Sequence, residues 1–354
     1  MEKLVSIIMP TYNRVNLIGR AIESVLKQSY SNWELFIVDD YGNDTTEEFI
    51  KQKYRDNTNI MYLKNKGDKG PAGARNYALT KARGSYLAFL DSDDEWLSEH
   101  LCIGIKMLEE SNKKVFFGNW LCDNGDSSLE QYVKEDSLFY KNVIKKNGNK
   151  LNDNVYFFKR NFIEYMTINM AYFYHINTLI FSSDLINEVG FFDKDLKASE
   201  DLDFTARMIE KQGFIFDLNP HFIYHIGTDN IYNFVDHSEL SLEQLLFDQD
   251  KMRKIVTCDI NKCNMLEKRK RLVKGSLYVV KKRECIKACN QKLAIKYFSV
   301  ALLLQREDRK KSLSYLLQSI RYEFRIYKIY VMLMLFFSSK NKTILARKEH
   351  LNFI

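Results

Sequence analysis

Short solid apolar runs alternate with longer periodic ones along the first third of the chain. Val5–Met9 is an almost unbroken apolar run stopped by Pro10, with a polar turn at Thr11–Arg14. From Val15 to Gln28, Leu17, Ile18, Ala21, Ile22, Val25 and Leu26 recur at helical steps, which predicts a helix with one buried face. Trp33–Val38 predicts a second strand ending at Asp39-Asp40, Thr45–Tyr54 a helix, and Ile60–Leu63 a short third strand. The Gly67–Gly73 loop then leads into a helix over Ala74–Ala82, a buried strand over Tyr86–Leu90 and a helix over Trp96–Glu110. Strands alternating with helices predict an α/β fold: a mostly parallel, Rossmann-like sheet flanked by helices. Ligands of such sheets lie outside the carboxyl ends of the strands, where Tyr12, Asp39, Asp40 and Asp91 all fall.

Further along, Thr178–Phe181 predicts a strand, Asp184–Val189 a short helix, and Ser199 opens a helix running through Lys211. Phe222–His225 is a last strand, followed by Gly227–Asn230. Residues 123–175 show no clean period; their many aromatics predict core or lid. From Leu240 onward the pattern is helical. Leu313, Leu317, Ile320, Phe324, Tyr327, Val331 and Met334 form one predicted helical stripe, with Arg321, Arg325 and Lys328 on an adjacent one. The expected organisation is a domain over residues 1–235, with halves 1–110 and 111–235, and a helical region over 236–354.

Charge sharpens that division. The net charge of +7 hides a split: residues 1–250 carry 27 Lys and Arg against 39 Asp and Glu, whereas residues 251–354 carry 26 against 7. A basic tail of net +19 beside a body of −12 points to an anionic partner. Apolar stripe plus cations suits a helix lying on an anionic bilayer, and an inward-packed helical bundle would show the same spacing. Nucleic acid would use the same charge, but no recognition motif is present, so no nucleic-acid partner is expected. No apolar stretch reaches the ~20 residues of a spanning helix. The 6 cysteines are read as reduced thiols rather than zinc ligands, and no segment before the first strand resembles a signal peptide. The expectation is a cytoplasmic protein, peripheral at the inner face of the plasma membrane. Oligomeric state is not legible.

Candidate chemistry concentrates in Leu90-Asp91-Ser92-Asp93-Asp94-Glu95-Trp96, where a buried strand runs into three carboxylates within four positions. Crowded carboxylates repel, and a divalent cation is the usual compensation. Turn and helix-capping roles would account for one or two of these acids. A calcium loop is excluded, because the sixth and twelfth places from Asp91 hold Trp96 and Cys102 instead of Gly and Glu. The first strand lacks a Gly-x-Gly-x-x-Gly turn, and Gly67–Ala74 lacks the Gly-Lys-Ser/Thr of a phosphate loop. A second acidic group, Glu200-Asp201-x-Asp203, opens a helix, where capping and dipole effects also favour acids.

Taken together, Val5–Arg14, Leu35–Thr45, Gly73–Asn76 and Gly84–Trp96 resemble the nucleotide-sugar half of the family-two inverting glycosyltransferases of GT-A fold, and the likeness continues through Ser182–His225. One departure is Tyr41-Gly42-Asn43-Asp44, where the family more often has Gly-Ser-x-Asp. The resemblance implies an enzyme that moves a sugar from a nucleoside diphosphate, UDP for preference, to a hydroxyl of a glycan or lipid-linked acceptor in bacterial surface polysaccharide synthesis, with Mn²⁺ or Mg²⁺. It implies a donor site of Pro10, Thr11, Tyr12, Arg14, Asp39, Asp40, Gly73, Arg75, Asn76, Asp91 and Ser92. It places metal on Asp93 and Asp91, with Asp94 able to exchange with Asp93 and His225 as a further ligand. Asp201 becomes the general base and Glu200 orients the acceptor. The alternative is a non-catalytic nucleotide-sugar-binding subunit of a polysaccharide assembly complex.

Overall fold

The computed structural model describes residues 2–123, 125, 128–225, 249–305, 307–325, 328, 329 and 331. Two compact units divide the chain: Met1–Met166 with Met170–Gly227, and Thr167–Asn169 with Thr228–Ile354.

The first unit is built on one mixed sheet. Its strands are β1 (Val5–Thr11), β2 (Trp33–Asp39), β3 (Ile60–Lys64), β4 (Tyr86–Phe89), β5 (Glu95–Trp96), β6 (Val115–Asp123), β7 (Leu129–Gln131), β8 (Asn149–Lys150), β9 (Val155–Phe158), β10 (Ile180–Ser182) and β11 (Phe214–His225). The order is β3-β2-β1-β4-β10-β6-β11-β9-β8, with β5 on β11 and β7 on β6. β3, β2, β1 and β4 run parallel, and so do β6 and β11; β10 is antiparallel to both its neighbours. The helices α1 (Ile18–Leu26), α2 (Thr46–Lys53), α3 (Pro71–Leu79), α4 (His100–Ser111) and α5 (Glu200–Gln212) flank it. The expected α/β class and mostly parallel centre are found. Every residue of β2 and β4 is buried, as unbroken apolar strands require. Register sets Thr11 beside Asp39, so the carboxyl ends of the parallel strands finish together.

Several element limits differ from the sequence reading. Helix α3 starts at Pro71, three residues before the expected Ala74, because proline's fixed φ suits a first helical position and Gly70 precedes it at φ 109°. Gly73 and Arg75 are therefore helical. Trp96 does not open a helix but sits on β5 opposite Phe222, its indole nitrogen donating to the Asn177 carbonyl at 2.6 Å.

The second unit holds α6 (Gln249–Gly275), α7 (Lys282–Leu304) and α8 (Arg309–Tyr322). The stripe expected to run from Leu313 to Met334 is interrupted: α8 ends at Tyr322, and Glu323 is extended. The inward face of α8 is Ser312, Leu316 and Ser319, whose two hydroxyls donate to the carbonyls of Ala301 and Ala294 at 2.7 and 2.6 Å. Small residues let the backbones approach where the apolar period favoured leucines. Leu317 and Phe324 are consequently exposed, and Lys328 is buried rather than on a cationic face. Tyr327, Met334 and Gly227–Asn230 lie outside the described residues. Cys258, Cys263, Cys285 and Cys289 are buried free thiols, and burial pushes Cys263 up to about 12 and Cys289 to about 11. No helix among the described residues is long and apolar enough to cross a membrane.

Candidate active site

The site is organised by Arg75. Its Nη2 donates to Asp91 Oδ1 at 2.7 Å and its Nη1 to Glu200 Oε1 at 2.8 Å. One guanidinium thus joins the acid after β4 to the acid opening α5, which lies 125 residues beyond Arg75 itself. The Arg75 and Glu200 side chains are only 5% and 8% exposed, so the ion is held inside the protein by paired charge. The Phe192 ring lies 5.5 Å beneath the guanidinium.

Three acids of the cluster after β4 have separate environments. Asp94 is buried; Asn177 Nδ2 donates to its Oδ2 at 2.6 Å and the His225 amide to its Oδ1 at 2.9 Å. Burial first, then repulsion from Asp93, raises its pKa well above the usual carboxylate range. Asp94 therefore anchors the turn and does not exchange roles with Asp93. Asp93 and Asp91 keep side chains 25% and 28% exposed. Asp93 is raised by burial and by Asp91, against the pull of Arg14, whose Nη2 lies 3.5 Å from it. The Asp93 carbonyl accepts from Arg20 and the Asp91 amide donates to Asn177. Ser92 is buried between the two open acids.

His225 stands close by, with Nδ1 at 2.8 Å from Asp123 and Nε2 at 2.9 Å from Glu95. Both ring nitrogens are engaged, so ligating a metal would require Glu95 or Asp123 to let go. Among the described residues no group of three or more His, Cys, Asp or Glu is arranged to hold a metal unaided. What Asp91 and Asp93 provide is two hard oxygen donors, the one or two carboxylates that Mg²⁺ or Mn²⁺ takes alongside substrate phosphates and water.

On the β1–β2 side, Tyr12 is half exposed, with the Lys69 ammonium 5.6 Å from its ring. Thr11 is buried and its hydroxyl has no hydrogen-bond partner. Pro10 sits in β1 opposite Val38. Asp40 accepts from Asn65 Nδ2 at 2.7 Å and from the Gly70 amide at 2.8 Å, which closes the loop before α3 over the ends of β1 and β2. Asp39 accepts from Tyr62 at 2.5 Å and the Gly42 amide at 2.8 Å, which shapes the turn after β2. The Asn76 amide exchanges two 2.9 Å hydrogen bonds with the Phe192 backbone. Gly73 has a packing reason, since a Cβ there would stand 1.7 Å from the Asp68 carbonyl oxygen.

At the mouth of α5, Ser199 adopts φ 63° and its side chain makes no capping bond, while Asp201 Oδ1 accepts from the first-turn amide of Leu202 at 2.8 Å. Glu200 is paired with Arg75 through Oε1 at 2.8 Å, and Asp203 with Arg207 at 3.0 Å. Asp201 alone of the three lacks such an ion pair. Burial and the Glu200 charge, opposed by Arg75, push it up to about 7. A carboxyl titrating near neutrality is suited to accepting a proton.

Residues that sequence reasoning passed over complete the arrangement. Asn177 holds both Asp91 and Asp94, yet a lone Asn before a strand gives no signal. His175 is driven down to about 4 by burial, with Asp91 raising and Arg75 further lowering it. Its ring lies 5.6 Å from Trp120, which stacks on the half-exposed Tyr132 at 4.0 Å and 14°.

Residues 6–174 match the profile of "Glycosyl transferase family 2". The chain is 31% identical over 216 residues, 59% of its own length and 67% of the other's, to the putative colanic acid biosynthesis glycosyl transferase WcaA of Escherichia coli K12. The chain belongs to glycosyl transferase family 2. It is also 42% identical over 147 residues to an E. coli protein, the UDP-Glc:alpha-D-GlcNAc-diphosphoundecaprenol beta-1,3-glucosyltransferase WfgD. That match covers 42% of this chain and 57% of WfgD. A mannosyltransferase, PcManGT of Pyrobaculum calidifontis in complex with GDP-Man and Mn²⁺, superposes with a TM-score of 0.52 at 14% identity, over 95% of this chain and 84% of that one. At that identity the likeness is one of fold.

Proposed function

We propose that this family 2 protein is an inverting transferase that moves a sugar from a UDP-sugar to a hydroxyl of a lipid-linked glycan in bacterial surface polysaccharide synthesis. The observation that carries the reading is Arg75 holding Asp91 and Glu200 together while Asp201 is left without an ion pair beside them. UDP is preferred because WfgD, by its name, uses UDP-glucose and a diphosphoundecaprenol-linked sugar.

The donor lies over the ends of β1, β2 and β4, with its base on Tyr12 and near Thr11 and Asp40, and its ribose or diphosphate near Arg75 and Asp91. Asp93 and Asp91 would hold Mn²⁺ or Mg²⁺, which would supply positive charge against the diphosphate. Arg14 adds to that charge across from Asp93. The acceptor hydroxyl enters from the α5 side. Asp201 takes its proton as the oxygen attacks the anomeric carbon on the face opposite the diphosphate, so the C–O bond to UDP breaks as the new glycosidic bond forms and the configuration inverts. Arg75 occupies Glu200 through its Nη1, and Asp201 receives the proton. The Trp120–Tyr132 stack offers an aromatic face for an acceptor sugar ring. The basic tail region places the enzyme at an anionic membrane, where a lipid-linked acceptor resides.

Calorimetry with UDP, with and without Mn²⁺, followed by metal-dependent hydrolysis of a panel of UDP-sugars, tests this. Metal-dependent binding and hydrolysis of one sugar are expected. Absence of UDP binding in both conditions overturns the donor assignment, and binding without turnover of any donor in the presence of acceptor would leave a binding subunit instead of an enzyme.

A further inference from the structure

The membrane-facing part of the second unit need not be the α8 stripe. Between α6 and α7 the chain turns through Ser276–Lys281, and the turn points its apolar side chains outward. Leu277 is 91% exposed and Val280 86%, with Tyr278 exposed beside them. Ser276 and Val279 are buried, and the Tyr278 amide donates to Ser276 Oγ at 3.0 Å. Lys282 Nζ reaches back to the Lys274 carbonyl at 3.0 Å, which closes the turn at its base. The alternation is thus built: Ser276 and Val279 hold the turn, while Leu277 and Val280 stand out from it.

The flanks are cationic. From Arg271 to Lys287 there are six cations, Arg271, Lys274, Lys281, Lys282, Arg283 and Lys287, against the single acid Glu284. All but Lys282 are exposed. Two large aliphatic side chains in water are a cost that folding alone does not explain. Mostly like charge flanking them in the chain, with Lys281 4.0 Å from Glu284, disfavours an acidic-poor protein partner or a second copy of the same positive surface. An anionic bilayer answers both features, taking aliphatic side chains into its interface and cations against its headgroups.

We propose that Leu277 and Val280 form a membrane-inserting tip, collared by Arg271, Lys274, Lys281, Arg283 and Lys287, that docks the protein on anionic lipid. This rests on the membrane placement proposed above and names the element that makes it. Immersing a Leu or Val side chain is worth roughly a factor of ten in partitioning or more. Each interfacial cation contributes about fivefold at low salt, and less as salt screens it.

The test is sedimentation of the full chain with phosphatidylglycerol-containing vesicles and with phosphatidylcholine vesicles. Wild type is compared with the Leu277→Ser/Val280→Ser double variant and with Lys281→Gln/Arg283→Gln. Wild type is expected to bind only the anionic vesicles. The Ser pair should bind them at least about tenfold more weakly, and the Gln pair should lose binding mainly at low salt. Both should keep wild-type Tm, wild-type hydrodynamic size and wild-type UDP-sugar hydrolysis. A Leu277→Trp variant should shift its emission to the blue on adding anionic vesicles. If wild type binds no vesicle, the membrane placement itself is overturned. If wild type binds and the Ser pair binds equally, the tip alone is overturned. A fall in Tm of the Ser pair would show that the rest of the chain covers the tip, and a smaller hydrodynamic size that a second copy does; either result overturns the lipid assignment.

Discussion

Replacing Arg75 by Met removes the one cation shared by Asp91 and Glu200 while keeping an unbranched side chain over Phe192. Glu200 is 8% exposed in that pair and Asp91 28%, so Glu200 is the acid left stranded. Taking one partner from a buried ion pair costs about 3–5 kcal/mol. For a unit of roughly 200 residues each kcal/mol moves the midpoint by about 2–4 °C, so Arg75→Met should melt roughly 6–20 °C lower. Most of that loss is the unpaired carboxylate, so Glu200→Gln placed in the Arg75→Met protein should restore part of it. Scanning calorimetry on wild type, the two single variants and the double variant closes the cycle, with a coupling of at least about 1 kcal/mol expected. The same substitution acts on Asp201, because Arg75 is what holds that carboxyl down. In Arg75→Met the Asp201 pKa should rise further, and the basic-active limb of kcat/KM should move to higher pH. Additive ΔΔG values within about 0.5 kcal/mol, or a limb that stays in place, would refute the bridging role.

Asp201→Asn should retain UDP affinity and transfer sugar at least ~10²-fold more slowly; near-normal turnover would place the base elsewhere. The same variant carries a stability test. Asp201 is raised in the fold, so its contribution is complete below its unfolded value near 3.8 and is lost as pH rises through about 7. Asn at this place should therefore raise Tm relative to wild type at pH 8 and not at pH 4, which a thermal-shift series checks. Asp93→Ala should abolish metal-stimulated hydrolysis and metal-dependent UDP binding with little change in Tm, since its carboxylate is partly open and makes only a 3.5 Å contact with Arg14. Gly73→Ala drives a Cβ to within 1.7 Å of the Asp68 carbonyl, so it should destabilise the loop that Asp40 closes and weaken UDP binding even in the absence of metal; unchanged UDP affinity would count against that loop as part of the donor site.

Much of the donor half was readable because apolar strands end abruptly in acids, and both signals survive in one dimension. Asp91 falls at a site because the ligand side of a parallel sheet is at its strands' carboxyl ends, while the place of Arg75 beside it comes from helix α3. What pattern could not reach was the partner of each group. Asp39 and Asn76 look like ligand contacts by position, yet Tyr62, Gly42 and Phe192 take their hydrogen bonds. Asn177 carries no periodic or charge signal and is found only when β10 is laid between β4 and β6. Trp96 reads as helical by its neighbours, but pairing with β11 outweighs local preference. In the tail, the apolar period left a membrane face and an inward-packed face open; Leu313 and Ile320 pack against buried Leu316 and Val331, and Ser312 and Ser319, polar by type, gave no periodic signal of their contacts.

The carboxylates after β4 owe their setting to chain that follows much later. Asp94 is pinned by Asn177 and by the His225 amide, 83 and 131 residues downstream, and Arg75 is neutralised by Glu200 at a separation of 125. A nascent chain that has emerged only as far as residue 110 would hold every donor-side acid and yet have a buried arginine half compensated and a turn without its anchors. On the proposed donor assignment, UDP binding is expected only once β11 docks and not when β1 to β4 assemble, which makes UDP-dependent protection in a refolding reaction a reporter of β11 closure.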